Sequence, residues 1–244
     1  MTRQYAINVK DFTYEELLRF GKFISEERLK RADRYRFDKD KIRCLTAELI
    51  LRYALITEYG INNDSIQFIK SDKGKPYLKS EHINVEFNLS HSGDYVVCAI
   101  SDSPVGIDVE QIRDKDINIA KRVLTKDEYE EWSALDDGIK TDEFYRLWTV
   151  KESYSKYLGL GLMLDFSLEG CSQIKRGISS DYNLNFIECI IGSGSGYVYS
   201  QKLDDSHYLS VCIAPCKKDE LIKEVQYIGL EDIKREIILN GLPA

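Results

Sequence analysis

Along the chain, short runs of alternating apolar and polar residues are interleaved with longer runs of helical period. Period two predicts strands at Tyr5–Val9, Ile66–Ile69, Val85–Ser90 and Val105–Glu110, and the nearly all-apolar run Tyr95–Ile100 is a further one. Later runs at Asp165–Leu168, Leu184–Ile191, Gly196–Leu203 and Tyr208–Ala214 have the same character. Helices are predicted at Thr13–Phe23 and then after Ser25, an N-cap followed by Glu26 and Glu27. Another runs from Lys39 to Tyr59 and stops at Gly60, with Leu45, Leu49, Tyr53 and Ile56 on one face. Thr125–Glu128 is a capping-box pattern, Asp136-Asp137-Gly138 breaks the helix that it opens, and Glu143–Leu158 and Leu230–Leu239 are the last two helices. Turn residues at 91–94 and 101–104 fold Val85–Ser90, Tyr95–Ile100 and Val105–Glu110 into a three-strand meander.

Helices followed by short antiparallel strands occur twice, which makes this an α+β chain. At an offset of 103, Arg43, Leu45 and Thr46 fall on Arg146, Trp148 and Thr149, and the run 94–98 is similar to 207–212. Two similar lobes related by a pseudo-twofold follow, residues 1–103 and 104–244, with the cleft between them as the ligand site.

Hydrophobic residues make up 43% and charged residues 31% of the chain, which fits a folded soluble protein and argues against disorder. No apolar run approaches the ~20 residues of a membrane span, and Met1–Lys10 has no signal-peptide pattern, so the expected location is the cytoplasm. Six scattered cysteines without a C-x-x-C, and only three histidines, argue against zinc; Cys98 and Cys212 lie in apolar runs as buried thiols. The net charge of −7 argues against nonspecific binding of nucleic acid. Between Arg28 and Arg43, however, eight basic residues stand against three acidic ones. That stretch is either a solvated basic face or a site for a multiply phosphorylated small molecule or an acidic protein surface.

The candidate chemistry lies in two motifs. In Gly106-Ile107-Asp108-Val109-Glu110 the alternation places Asp108 and Glu110 on one face, beside a glycine that leaves room for something to approach. In Trp148-Thr149-Val150-Lys151-Glu152-Ser153-Tyr154-Ser155-Lys156 the i, i+4, i+8 spacing puts Trp148, Glu152 and Lys156 on one helix face. Taken singly, the first is the wet side of a strand and the second a solvated ion pair. Taken together, they could hold a divalent cation and an anionic ligand, since Mg²⁺ favours carboxylate oxygens and is usually shared with substrate phosphates. His91 sits in a hairpin turn after Ser90, and Gly192–Gly196 is a flexible hairpin tip with no lysine or helix start behind it to make a phosphate loop.

With Phe87-Asn88-Leu89-Ser90-His91-Ser92-Gly93 and Gly74-Lys75-Pro76-Tyr77, these motifs resemble, in order and spacing, those of 4′-phosphopantetheinyl transferases of the two-lobed, surfactin-synthetase-activating type. The resemblance runs over nearly the whole chain. It implies a monomeric, Mg²⁺-dependent enzyme of nonribosomal peptide or polyketide biosynthesis. Such an enzyme moves the phosphopantetheine arm of coenzyme A to a serine of an acidic apo carrier protein and releases adenosine 3′,5′-bisphosphate. It further implies that Asp108, Glu110 and Glu152 hold Mg²⁺, that Asp108 and Lys156 contact the pyrophosphate, and that Lys156 assists the leaving group. Arg28, Arg31, Arg43, Ser90 and His91 would bind phosphates, and Gly74, Lys75 and Pro76 would line the adenine pocket. Cys44 stands where members often carry a hydroxyl, and a thiol is the poorer donor. Glu152 is the candidate base for the serine proton. Arg113, Lys121 and Arg122, with Ala120, Val123 and Leu124, form a candidate docking patch for the carrier. A noncatalytic coenzyme A or nucleotide-binding module and a Mg²⁺-dependent phosphohydrolase are the competing classes.

Overall fold

The computed structural model describes residues 1–71, 74–80, 82–113, 119–159, 173–178, 185–191 and 194–240. The chain opens with strand β1 (Thr2–Asn8) and a short helix, α1 (Tyr14–Leu18), started by a full capping box between Thr13 and Glu16. The helix expected to reach Phe23 stops at Arg19, and a 3₁₀ turn at Gly21–Phe23 follows. Ser25 caps α2 (Glu26–Ala32), and α3 (Asp38–Tyr59) is the long helix of this part. Its Leu45, Leu49, Ile50 and Leu55 pack with Tyr5, Ile7, Val96, Cys98 and Ile100 in one core. A two-stranded ribbon, β2 (Phe68–Lys70) and β3 (Pro76–Leu78), precedes the hairpin of β4 (Glu86–Ser92) and β5 (Tyr95–Ser101). The hairpin turns at Gly93-Asp94, so Ser90 and His91 lie within β4.

The expected meander does not form. β1 pairs antiparallel with β5, Tyr5 opposite Cys98, and β4 takes the other edge. With both edges of β5 filled, β6 (Val105–Gln111) finds its partner elsewhere and heads a second sheet. In that part of the chain, α4 (Ala120–Val123) and α5 (Lys126–Ser133) lead to α6 (Asp137–Leu158). α6 starts at Asp137, six residues ahead of the expected Glu143. Asp136 takes the extended N-cap conformation, Asp137 sits in the first turn where the helix dipole favours an acid, and the Trp132 indole donates to the carbonyl of Lys140. Four further strands follow: β7 (Gln173–Ile178), β8 (Asn185–Ile191), β9 (Gly194–Asp204) and β10 (His207–Ile213). The order is β6-β10-β9-β8-β7, antiparallel at every pairing. The strand expected at 165–168 and residues 192 and 193 of the expected hairpin tip lie outside the described residues.

The chain forms two compact units. One unit is residues 103–221 with Met1; the other is 2–102 together with 222 onward. β11 (Leu221–Tyr227) lies beside β1 in the order β11-β1-β5-β4. Helix α7 (Leu230–Asn240) packs on α3, placing Ile233 and Ile237 in the core of the first sheet. The reason is amphipathic: Ile233 and Ile237, one turn apart, need an apolar surface, and α3 supplies it. Each unit is a mixed α+β structure. No helix of the described residues is long and apolar enough to cross a membrane.

Candidate active site

Asp108 lies in the middle of β6, opposite Ser210 of β10, and is 2% exposed. The face that carries Gly106, Asp108 and Glu110 is covered by α6. Contact there is backbone to backbone: a Cβ placed on Gly106 would stand 2.0 Å from the carbonyl oxygen of Ser153 and 2.5 Å from the amide nitrogen of Tyr157. The room left by this glycine, read in the sequence as space for a ligand, is filled by the helix. That close approach brings the functional side chains of α6 onto β6. The ammonium of Lys156 lies 2.5 Å from Asp108 Oδ1. Glu152, one turn before Lys156, has its carboxyl held above the usual range, first by burial and second by the negative charge of Asp108, with Lys156 acting against both. Two acids and a lysine predicted from two separate elements thus share one locality. Glu110, two residues from Asp108 and half-buried, faces the same way near the end of β6, opposite Tyr208 of β10.

Among the described residues no group of three or more His, Cys, Asp and Glu side chains is gathered closely enough to hold a metal by itself. Like charges resist such gathering, and here Lys156 neutralises Asp108 in place of a third acid.

A set of hydroxyls escaped the sequence reading. Thr149 of α6 donates to the carbonyl of Arg146 and lies 2.9 Å from Ser210 Oγ, which lies 3.0 Å from Ser200 Oγ on β9. All three residues are buried, and Ser210 is the cross-strand neighbour of Asp108. The ladder fixes α6 on the sheet in one register, three residues from Glu152. The available signal was a serine and a threonine where apolar residues would pack more cheaply. Replacing Thr149 by valine, which keeps the shape, is expected to lower stability by about 1–2 kcal/mol, because the Ser210 hydroxyl loses a buried partner. Thermal unfolding monitored by circular dichroism checks this. A second missed feature is the buried ion pair of Lys151 with Glu128, 2.7 Å, which clamps the capping box of α5 to α6.

The predicted coenzyme A contacts outside these two motifs lie in the unit built on α3. Arg31 is exposed on α2. Arg28 extends its Nε towards Glu48 at 3.4 Å. Arg43 pairs with Asp40 and donates to the carbonyl of Gly93, 2.9 Å, which ties α3 to the turn that follows Ser90 and His91. Ser90 is buried and His91 exposed on β4. Gly74 has a positive φ of 82° in the turn ahead of Lys75 and Pro76. The Lys75 ammonium is 3.1 Å from Glu86 and lies over the ring of Tyr77. Cys44 is 3% exposed and forms part of the hydrophobic core. In the expected docking patch, Arg113, Lys121 and Arg122 are exposed, but Ala120, Val123 and Leu124 are not available to a partner. They pack against Trp132, Phe144 and Leu147, because α4 has only one apolar face and the core takes it.

Comparison with known families gives matches over most of the chain. Residues 11–103 match the model described as 4′-phosphopantetheinyl transferase, N-terminal, and residues 104–212 match that of the 4′-phosphopantetheinyl transferase superfamily. The chain is 32% identical over 218 residues to 4′-phosphopantetheinyl transferase Sfp of Bacillus subtilis (strain 168), covering 89% of this chain and 94% of that protein. It is 37% identical over 211 residues to 4′-phosphopantetheinyl transferase psf-1 of Bacillus pumilus, 86% of each. It is also 40% identical over 141 residues to 4′-phosphopantetheinyl transferase gsp of Aneurinibacillus migulanus, 58% of each.

Proposed function

Because the chain belongs to the 4′-phosphopantetheinyl transferase superfamily, we propose that it uses Asp108, Glu110, Glu152 and Lys156 to move the phosphopantetheine arm of coenzyme A onto a serine of an apo carrier protein, with Mg²⁺ held by the three acids. The enzyme activity, transfer of phosphopantetheine to carrier proteins, comes with the family. The finer reading rests above all on one observation, the packing of α6 on β6 at Gly106, which sets Lys156 2.5 Å from Asp108 and brings Glu152 beside the same carboxylate. A hard cation would relieve both the burial of the Glu152 carboxylate and its repulsion by Asp108. Mg²⁺ typically takes one or two protein carboxylates and shares the rest of its shell with water and substrate phosphates, so Asp108 and Glu152 would bind it directly and Glu110, not gathered with them here, through water or on closure by the ion itself. Bound there, Mg²⁺ would supply charge neutralisation on the pyrophosphate.

The chain's own residues would do the remaining work. Lys156, which pairs with Asp108, would meet a phosphate oxygen and offset the charge that develops on the leaving adenosine 3′,5′-bisphosphate. Glu152, with its raised proton affinity, takes the proton of the carrier serine directly or through water. Arg28, Arg31, Arg43, Ser90 and His91 bind phosphates of coenzyme A, and Gly74, Lys75 and Pro76 line the adenine pocket. The burial of Cys44 and the weakness of a thiol donor leave little for that residue to contribute. Exposed Arg113, Lys121 and Arg122 attract an acidic carrier by charge. Related halves, a monomeric state, a cytoplasmic location and service to peptide or polyketide synthesis complete the reading.

The test is intact-mass analysis of an apo carrier protein incubated with the enzyme and coenzyme A, with Mg²⁺ or with excess chelator. The reading expects the mass of one phosphopantetheine group on the carrier serine with Mg²⁺ and none with chelator. Cleavage of coenzyme A with an unchanged carrier would show a phosphohydrolase instead, and an intact coenzyme A that binds without reacting would show a noncatalytic module.

A further inference from the structure

Glu48 lies on α3 among Leu45, Leu49, Ile50 and Leu51, and is 1% exposed. A charge in such a place is unfavourable unless it is fully used. Its carboxylate receives the backbone N–H of Ser25 at 2.7 Å, the hydroxyl of Ser25 at 2.7 Å, Arg52 Nε at 2.8 Å and Arg28 Nε at 3.4 Å. Ser25 Oγ in turn accepts the N–H of Arg28. One buried side chain therefore holds both the cap of α2 and the root of the Arg28 guanidinium. With Nε engaged by Glu48, the two Nη groups are the ones that would meet an oxyanion.

Arg52, also buried, extends the arrangement in the other direction. Its Nη1 donates to the carbonyl and the side-chain oxygen of Asn63, and its guanidinium stacks over the ring of Phe68 at the start of the β2–β3 ribbon. That ribbon carries Lys75 and Pro76 at its far end. A surface ion pair between Lys70 of β2 and Glu27 of α2 closes the loop from outside. Replacing a buried ion pair by apolar residues of similar volume is often neutral or stabilising. Glu48 and Arg52, however, also serve Ser25 and Asn63, so their removal is expected to lower Tm as well as to loosen the aim of Arg28.

We propose that Glu48, together with Arg52, is a positioning residue for coenzyme A: it fixes the first turn of α2 so that Arg28 meets a phosphate, and couples that turn to the ribbon bearing Lys75. The proposal rests on the reading that Arg28 binds coenzyme A. Carrier loading is measured under varied coenzyme A, together with thermal unfolding, for Glu48→Gln, for the paired Glu48→Met/Arg52→Met, for Arg28→Ala, and for Glu48→Gln combined with Arg28→Ala. The paired variant keeps the core filled should Glu48→Gln alone fail to fold. The expected result is a KM for coenzyme A raised about tenfold by Glu48→Gln and by the paired variant, the scale of one charge-assisted hydrogen bond. The paired variant should show that rise in KM with kcat unchanged, a split that a merely structural loss of active enzyme does not produce. Once Arg28 is alanine, Glu48→Gln should add little. If Arg28→Ala raises KM while the Glu48 variants do not, or if the two effects simply multiply, the positioning role is wrong and the phosphate role of Arg28 stands. If Arg28→Ala leaves KM unchanged, the reading of Arg28 fails and the proposal falls with it.

Discussion

Gly106→Ala is expected to abolish carrier loading and to lower the stability of the unit that contains β6 and α6. The added methyl would meet the Ser153 carbonyl at 2.0 Å and the Tyr157 amide at 2.5 Å, and neither is a side chain that can rotate away. The helix as a whole has to lift or slide. Overpacking of this kind costs roughly 1–3 kcal/mol and more where the backbone must move. The displaced helix carries Glu152 and Lys156 away from Asp108, and misplacement by about 1 Å can cost about a hundredfold in rate. Thermal unfolding and initial loading rates on the same preparation measure both effects. A variant with unchanged Tm and full turnover would show that the approach of α6 to β6 is not needed.

Glu152→Gln separates activity from stability. If Glu152 takes the serine proton, the amide removes the base and loading falls by about 10²–10⁴-fold, the usual worth of general base catalysis. Stability should move the other way. The carboxyl of Glu152 is held above its ordinary range by burial and then by Asp108. The folded chain therefore keeps this proton more tightly than the unfolded chain. The group's contribution to stability is greatest at low pH and declines as pH rises through the unfolded value to the raised folded one. Wherever the side chain is ionised it opposes folding, so at a pH well above the unfolded value a neutral amide should leave Tm unchanged or higher. A drop in Tm together with full activity at saturating Mg²⁺ would contradict both halves of the argument.

Much of the site was legible because its residue types follow backbone periods. Alternation in 105–110 put Asp108 and Glu110 on one face, and helical spacing put Glu152 and Lys156 on another; in the structure Asp108, Glu152 and Lys156 come together. What periodicity cannot supply is the partner of each face. Gly106 announced a close approach, but not that the approaching object is α6. The strand after the 85–101 hairpin pairs with β10, about a hundred residues on, rather than with its neighbour, because β1 already occupies the free edge of β5. Ile233 and Ile237 showed an amphipathic helix, yet nothing local said that it would return to α3. Buried polar residues were hardest to read. Glu48, Arg52, Thr149 and Ser210 sit at ordinary positions in apolar runs, and their use depends on partners that only the tertiary fold brings.

The central claim is that Asp108 and Glu152, brought together by the packing of α6 on β6, hold one divalent cation on the pyrophosphate of coenzyme A. Calorimetric titration of Mg²⁺ into the protein saturated with coenzyme A, without carrier, tests this most directly. The account predicts uptake of one Mg²⁺ per chain by the unaltered protein, with affinity lost in Asp108→Asn and in Glu152→Gln. Equal Mg²⁺ uptake by all three proteins would contradict it.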